Sequence, residues 1–267
     1  MTNTVRTKTI RSSTDPTRKT ALVAGILYLL TYASSIPAAL LLSNTLADPS
    51  YILGAGADGQ IRLAALFDIV NGLTAIGTAV ALYSVVKRQH EGLAIGFVAS
   101  RLFEAAILFI GVVSVVSIAA LRETAAGATD PAALAAAGTT LVSLYKVAFV
   151  LGTGIPALNA FLLGWLLFRS GLVPRAIPTL GLIGGVSFSA WIVGYVLGVT
   201  EPGTPWHGIS VAPIFFWELF VGLWMTFKGF RKEAPLMLEA AAASASPDAP
   251  TSATGPSIGV AAKAGAA

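Results

Sequence analysis

The sequence contains no cysteine and only two histidines among its 267 residues. The first absence excludes disulfides, thiolate metal sites and a cysteine nucleophile, and says nothing about compartment. The histidines, His90 and His207, fall in a turn and a loop expected on opposite sides of a membrane, and neither has a ligand-spaced neighbour. The sequence has neither an H-E-x-x-H zinc-protease pattern nor a G-x-S-x-G nucleophile elbow. No metal, no cofactor and no catalytic residue is therefore expected, and the chain is not read as an enzyme. Charge is scarce as well: Asp, Glu, Lys and Arg make up 11% of the residues against 55% hydrophobic, with a mean hydropathy of +0.77. A soluble domain of this length needs a far more charged surface.

What the chain does have is long apolar runs, at about 20–42, 61–86, 93–121, 141–168, 179–199 and 211–227. Each is close to the length a helix needs to cross a hydrocarbon core of roughly 30 Å. The runs are too long, and alternate too little, for a transmembrane β-barrel. The first follows a basic, Ser/Thr-rich start, as a signal peptide would, but it exceeds the roughly 7–15 residues of a signal-peptide core. It is expected as an uncleaved helix. The fold class is therefore an all-α membrane protein, a bundle of six transmembrane helices. The domain plan is a basic tail at 1–19, the membrane domain at 20–232, and an Ala/Ser/Pro/Gly-rich tail at 233–267. That last stretch lacks large apolar residues over most of its length and is expected to be disordered. In RETAAGATDPAALAAAGTT (122–140), Asp130 and Pro131 read as N-cap and first helical residue. They predict either a short surface helix or an extension of the fourth span.

Lysine and arginine alternate between the connections. Lys87 and Arg88, Arg169 and Arg175, and Lys228, Arg231 and Lys232 lie on the side of the basic N-terminus. The other connections carry Asp48, Asp58, Glu123, Asp130 and Glu201, with only Arg122 and the helix-edge Arg62. The positive-inside rule then puts both termini in the cytoplasm. The net charge of +4 sits in these short segments rather than on one basic face, so the lipid bilayer is the expected partner and nucleic acid is not. The expected location is the cell membrane of a bacterium, with multiple passes.

GAGADG (54–59) matches G-x-G-x-x-G literally. It has no strand before it and a membrane helix after it, so a dinucleotide site is not expected. Gly181, Gly185 and Ser189, then Gly194 and Gly198, recur at spacing four in the fifth run and predict close helix packing. Pro37 and Pro156 are expected to kink their helices, and Trp206 to anchor at an interface.

GFVASRLFEAAILF (96–109) places Arg101 and Glu104 inside an oily run. Three apart, they share a helix face. At the helical rise they lie about 12 Å and 16 Å into the span. A charged residue at that depth costs about 2.5–3.5 kcal/mol on insertion scales. Other runs carry matching groups: Asp68 and Asn71 in the second, Lys146 in the fourth and Glu218 in the sixth. The expected arrangement is a two-level polar interior. Asp68 pairs with Lys146 toward the outside, and Arg101 is shared by Glu104 and Glu218 near the centre. Arg62, Arg101 and Lys146 then balance Asp68, Glu104 and Glu218, as a low-dielectric interior demands. FFWELF surrounds Glu218 with large rings, which makes it the best candidate for a proton-carrying group.

RKTALVAGILYLLTY in the first run, RLFEA in the third and LFRSGLVPRAIPTLGLIGG at the fourth-to-fifth turn resemble the DUF4386 family of uncharacterised bacterial integral membrane proteins. The resemblance spans about 18–231 and implies a multi-helix membrane protein; it supplies no activity and no site residues. The leading functional expectation is a transport component for a small solute, ion or proton, with Asp68, Asn71, Arg101, Glu104, Lys146 and Glu218 lining its interior. The alternative is a membrane assembly or partner protein whose buried ion pairs are structural. An intramembrane enzyme is disfavoured by the missing motifs.

Overall fold

The computed structural model describes residues 16–47, 49–52, 58–124 and 130–245. Most of the GAGADG loop and the basic stretch 1–15 lie outside them, as do residues 246–267 of the C-terminal tail. The described chain forms seven α-helices: α1 Pro16–Thr45, α2 Asp58–Val86, α3 Glu91–Thr124, α4 Pro131–Ser170, α5 Ala176–Val196, α6 Pro205–Phe227 and α7 Pro235–Ala245. A 3₁₀ turn, Pro49–Ile52, lies between α1 and α2. The first six helices are long and apolar enough to cross a membrane. The protein is an all-α membrane protein.

Local chemistry sets the helix ends. Asp130 accepts hydrogen bonds from the N–H groups of Ala132 and Ala133 at 3.0 and 3.1 Å, with Pro131 opening α4. The Asp-Pro pair thus starts an extension of the fourth span. At 40 residues, α4 is about 60 Å long, so its first turns project beyond the hydrocarbon core. Thr204 and Pro205 do the same for α6, the Thr204 hydroxyl accepting from the His207 N–H at 3.3 Å. Residues 205–210, expected as loop, are therefore helix, and His207 and the exposed Trp206 sit in the first turn. His90 caps α3 by accepting from the Leu93 N–H at 3.2 Å. The fifth helix is shorter than expected, ending at Val196; Gly198 takes φ +72° in the turn beyond it and belongs to no helix face. The stretch 235–245, expected as disordered tail, is helical, with Leu236 buried against the body of the bundle.

The six long helices pack as a ring: each touches its neighbour in sequence, and α6 closes on α1. Arg18 supports that closure by donating to the final carbonyls of α6, Met225 and Thr226, at 3.1 and 2.8 Å. A cation there complements the partial negative charge of a helix C-terminus. At the far end, Tyr51 donates to Asp58 at 2.6 Å, and Arg122 pairs with Asp58 at 3.0 Å. Burial, reinforced by its bond to the Asp58 carboxylate, pushes the Tyr51 phenol up to about 12. Arg62 pairs with Glu123 nearby.

Buried side chains form two apolar clusters. One, including Tyr28, Phe97, Leu163 and Trp217, fills the end nearer the termini. The other, including Leu42, Ile61, Val115 and Tyr145, fills the opposite end. Gly181 seats the Trp217 ring between α5 and α6: a Cβ there would lie 2.5 Å from a ring carbon. Overpacking of this kind costs about 1–3 kcal/mol. Gly208, in the same bundle, has nothing within 4 Å of its Cβ position. Thermal unfolding in detergent is expected to show Gly181→Ala destabilised and Gly208→Ala unchanged or improved. Equal behaviour of the two would contradict the packing described.

Candidate functional site

The expectation that Arg101 serves two carboxylates matches the geometry. Its Nη1 donates to Glu104 one turn along α3, at 3.0 and 3.3 Å to the two carboxylate oxygens. Its Nη2 crosses the ring to Glu218 on α6 at 2.6 Å and also donates to the Tyr28 hydroxyl on α1 at 3.1 Å. The guanidinium lies 5.3 Å from the Tyr28 ring centre and 5.8 Å from that of Phe97, within cation–π range. Its Nε is buried without an acceptor. Glu104 has a second donor, the Asn159 amide on α4 at 2.6 Å, and the Ser100 hydroxyl donates to that amide's oxygen. Four of the six ring helices therefore meet through one guanidinium.

Depth explains why they meet. Counted from the helix ends on the side of the termini, Glu218 is about 14 Å in, Arg101 about 15 Å, Asn159 about 17 Å, Tyr28 about 18 Å and Glu104 about 20 Å. All lie near the middle of a core about 30 Å thick. In a medium of low dielectric, a shared, hydrogen-bonded cation is the arrangement that lets two carboxylates remain there.

The outer level differs from expectation. Asp68 is buried, at 5% exposure, about 27 Å from the same side along α2. It forms no ion pair among the described residues, and Lys146 does not reach it. Lys146 is exposed and not part of a buried cluster. The reason is depth. Lys146 lies about 36 Å from the C-terminal end of α4, about 9 Å beyond the level of Asp68, at the membrane boundary, where a lysine extends its ammonium to water. Arg62 is likewise occupied at the surface by Glu123. The expected balance of three cations against three carboxylates therefore does not hold inside the ring. Arg101 stands against Glu104, Glu218 and, one level away, Asp68.

A cavity of about 260 Å³ reaches this centre. Arg101, Glu104 and Glu218 border it, with Asn71, half-buried on α2, Thr31 and Tyr32 on α1 and Thr153 on α4. From that level it runs toward the end opposite the termini, past Leu108, Val211 and Ala39. A second cavity of about 280 Å³, bordered by Tyr145 and Lys146, shares Ala39 and Phe149 with it. The carboxylates differ in access: the Glu104 side chain is 8% exposed and held from two helices, whereas Glu218 is 14% exposed and, among the described residues, held by Arg101 alone.

Sequence reasoning found Arg101, Glu104, Glu218 and Asn71 and missed Asn159, Ser100 and the role of Tyr28. Asn159 had a signal, as the lone amide in the ALNAFLL run of the fourth span. Ser187 on α5 donates to the Ser210 carbonyl of α6 at 3.1 Å, a packing contact.

A family model described as a domain of unknown function, DUF4386, matches residues 23–229. Comparison with curated proteins finds no match, and comparison with solved structures finds none either.

Removing one partner of a buried ion pair costs about 3–5 kcal/mol. Arg101→Met is therefore expected to lower the unfolding temperature of the detergent-solubilised protein strongly. The triple variant Arg101→Met, Glu104→Gln, Glu218→Gln is expected to recover most of the loss, because no uncompensated charge remains. Asp68→Leu, which removes a carboxyl with no ion-pair partner, is expected to be neutral or stabilising. A triple variant no better than the single one would contradict the shared-guanidinium account.

Proposed function

The chain belongs to the DUF4386 family, and because that family's description names no activity, we propose a function from the site's own chemistry: a transport component that handles a small solute, ion or proton in a bacterial cell membrane. The observation that carries this reading is the cavity ending on a mid-membrane ion-pair centre with two carboxylates and one guanidinium. A purely structural pair needs no cavity beside it.

Glu218 is the exchanging group in this reading and Glu104 the fixed counter-ion. A proton or cation arriving through the cavity neutralises Glu218 and weakens its hold on Arg101. The guanidinium keeps its bonds to Glu104 and Tyr28, so the cation is never left unpaired in the core. Movement of α6 relative to α3 then follows from loss of the bond that bridges them across the ring at this level. No covalent chemistry is involved, and the reading is non-enzymatic. The basic residues at the termini end support a cytoplasmic position for both termini. The two arginines at the other end, Arg62 and Arg122, are each occupied by an acid. In that orientation the cavity lies on the outer side of the centre.

The reading of a structural or assembly protein draws support from the chain Ser100, Asn159, Glu104, Arg101, which ties α3 to α4 without touching the exchange at Glu218. Reconstitution decides between them. Proteoliposomes carrying the protein and an internal pH-sensitive dye are expected to pass protons, alone or with solute, under an imposed gradient. Glu218→Gln is expected to slow that flux at least tenfold while the protein remains folded. Identical traces for the natural protein, Glu218→Gln and empty vesicles would end the transport reading.

A further inference from the structure

Resting on the transport reading, we infer that the cavity above Arg101 takes a small organic cation, a primary ammonium with a short apolar body, rather than an anion or a neutral solute. Three features of the lining point the same way.

The first is the state of the guanidinium. Both Nη atoms already serve acceptors, Glu104 on one side, Glu218 and Tyr28 on the other, and the Nε, which has no acceptor among the described residues, is itself buried. A carboxylate or phosphate ligand would have to displace one of two fixed anions and then share the space with it. Like charges in low dielectric repel strongly.

The second is the count of charge. With both carboxylates ionised, this level holds one formal positive charge and two negative, and no further cation lies within ion-pair distance among the described residues. A monovalent cation beside Glu218 completes the balance that a buried site requires.

The third is the direction of the hydroxyls. Thr31 donates its proton to the Tyr28 carbonyl at 2.6 Å, Thr153 to the Phe149 carbonyl at 2.8 Å, and Tyr32 to the Phe215 carbonyl at 2.5 Å. All three border the cavity. With their protons held by helix backbones, their remaining hydrogen-bonding capacity is lone pairs, and lone pairs receive donors. An ammonium is a donor three times over. The rest of the wall suits an apolar body: Tyr32 and Phe215 meet edge to face at 5.0 Å, with Ile36, Leu108 and Ile214 beside them. Aromatic faces also attract cations directly.

The test uses three probes of matched shape on the purified full chain in detergent: butylammonium, 1-butanol and butyrate. Butylammonium is expected to bind saturably and raise the unfolding temperature, and its chain-matched alcohol and acid are expected to do neither. Glu218→Gln is expected to weaken butylammonium binding at least tenfold. Binding of butyrate, equal effects of all three probes, no binding of any, or full binding to Glu218→Gln would each overturn the inference. The comparison of probes on the natural protein decides even if the variant fails to fold. Failure here is separable from failure of transport. Ammonium binding without flux in proteoliposomes would remove the transport reading and leave the ligand class, whereas flux without ammonium binding would remove the ligand class alone.

Discussion

One guanidinium organises the interior. Arg101 cannot stand alone in a hydrocarbon core, and neither can Glu104 or Glu218. Each tolerates its depth because the others are within hydrogen-bond distance. The consequence reaches past the local contacts. Arg101 is on α3 and Glu218 on α6, helices that are not neighbours around the ring, so their bond fixes the width of the bundle at mid-membrane. Tyr28 and Asn159 bring α1 and α4 to the same point. Apolar clusters above and below can then close around it, with small residues such as Gly181 admitting large rings.

The same arrangement creates an asymmetry that a structural ion pair does not require. Both carboxylates border the cavity, but Glu104 is held from α3 and α4, whereas Glu218 has a single partner among the described residues and the more exposed side chain. A centre built this way has a fixed half and an exchangeable half. The Thr31, Tyr32 and Thr153 hydroxyls along the cavity have donated to their own helices or a neighbour's, leaving acceptors toward the open space. Charge, hydrogen-bond direction and shape thus favour the same kind of visitor, a small positive one, and the proton is the smallest member of that class.

Much of this was legible in the sequence, and the failures have physical reasons. The six spans follow from run length, and the pairing of Arg101 with Glu104 and Glu218 follows from spacing and depth along single helices. The Asp68–Lys146 pair did not form because the two side chains sit at different depths, about 27 Å and about 36 Å from the side of the termini. The Asp130 cap shows that α4 continues well beyond Lys146 on the outer side. Thr204–Pro205 carried the equivalent signal for α6, hidden beside a glycine and a second proline that read as loop. Asn159 and Tyr28 were visible as polar groups in oily runs, but their partners are on other helices. No periodicity within one helix reports an angle between two. The cavity is beyond sequence for the same reason: it is a gap between five helices, set by their mutual tilt.

The central claim is that the Arg101 guanidinium bridges to Glu218 across the ring in a bilayer. Solid-state NMR on the protein in lipid, with the arginine side-chain nitrogens and the glutamate side-chain carboxyl carbons isotopically labelled, measures that contact directly. The account predicts a strong nitrogen–carbon dipolar correlation that disappears in Glu218→Gln, beside a second that disappears in Glu104→Gln. Correlations unaffected by Glu218→Gln, with an Arg101 guanidinium in free exchange with water, would contradict it.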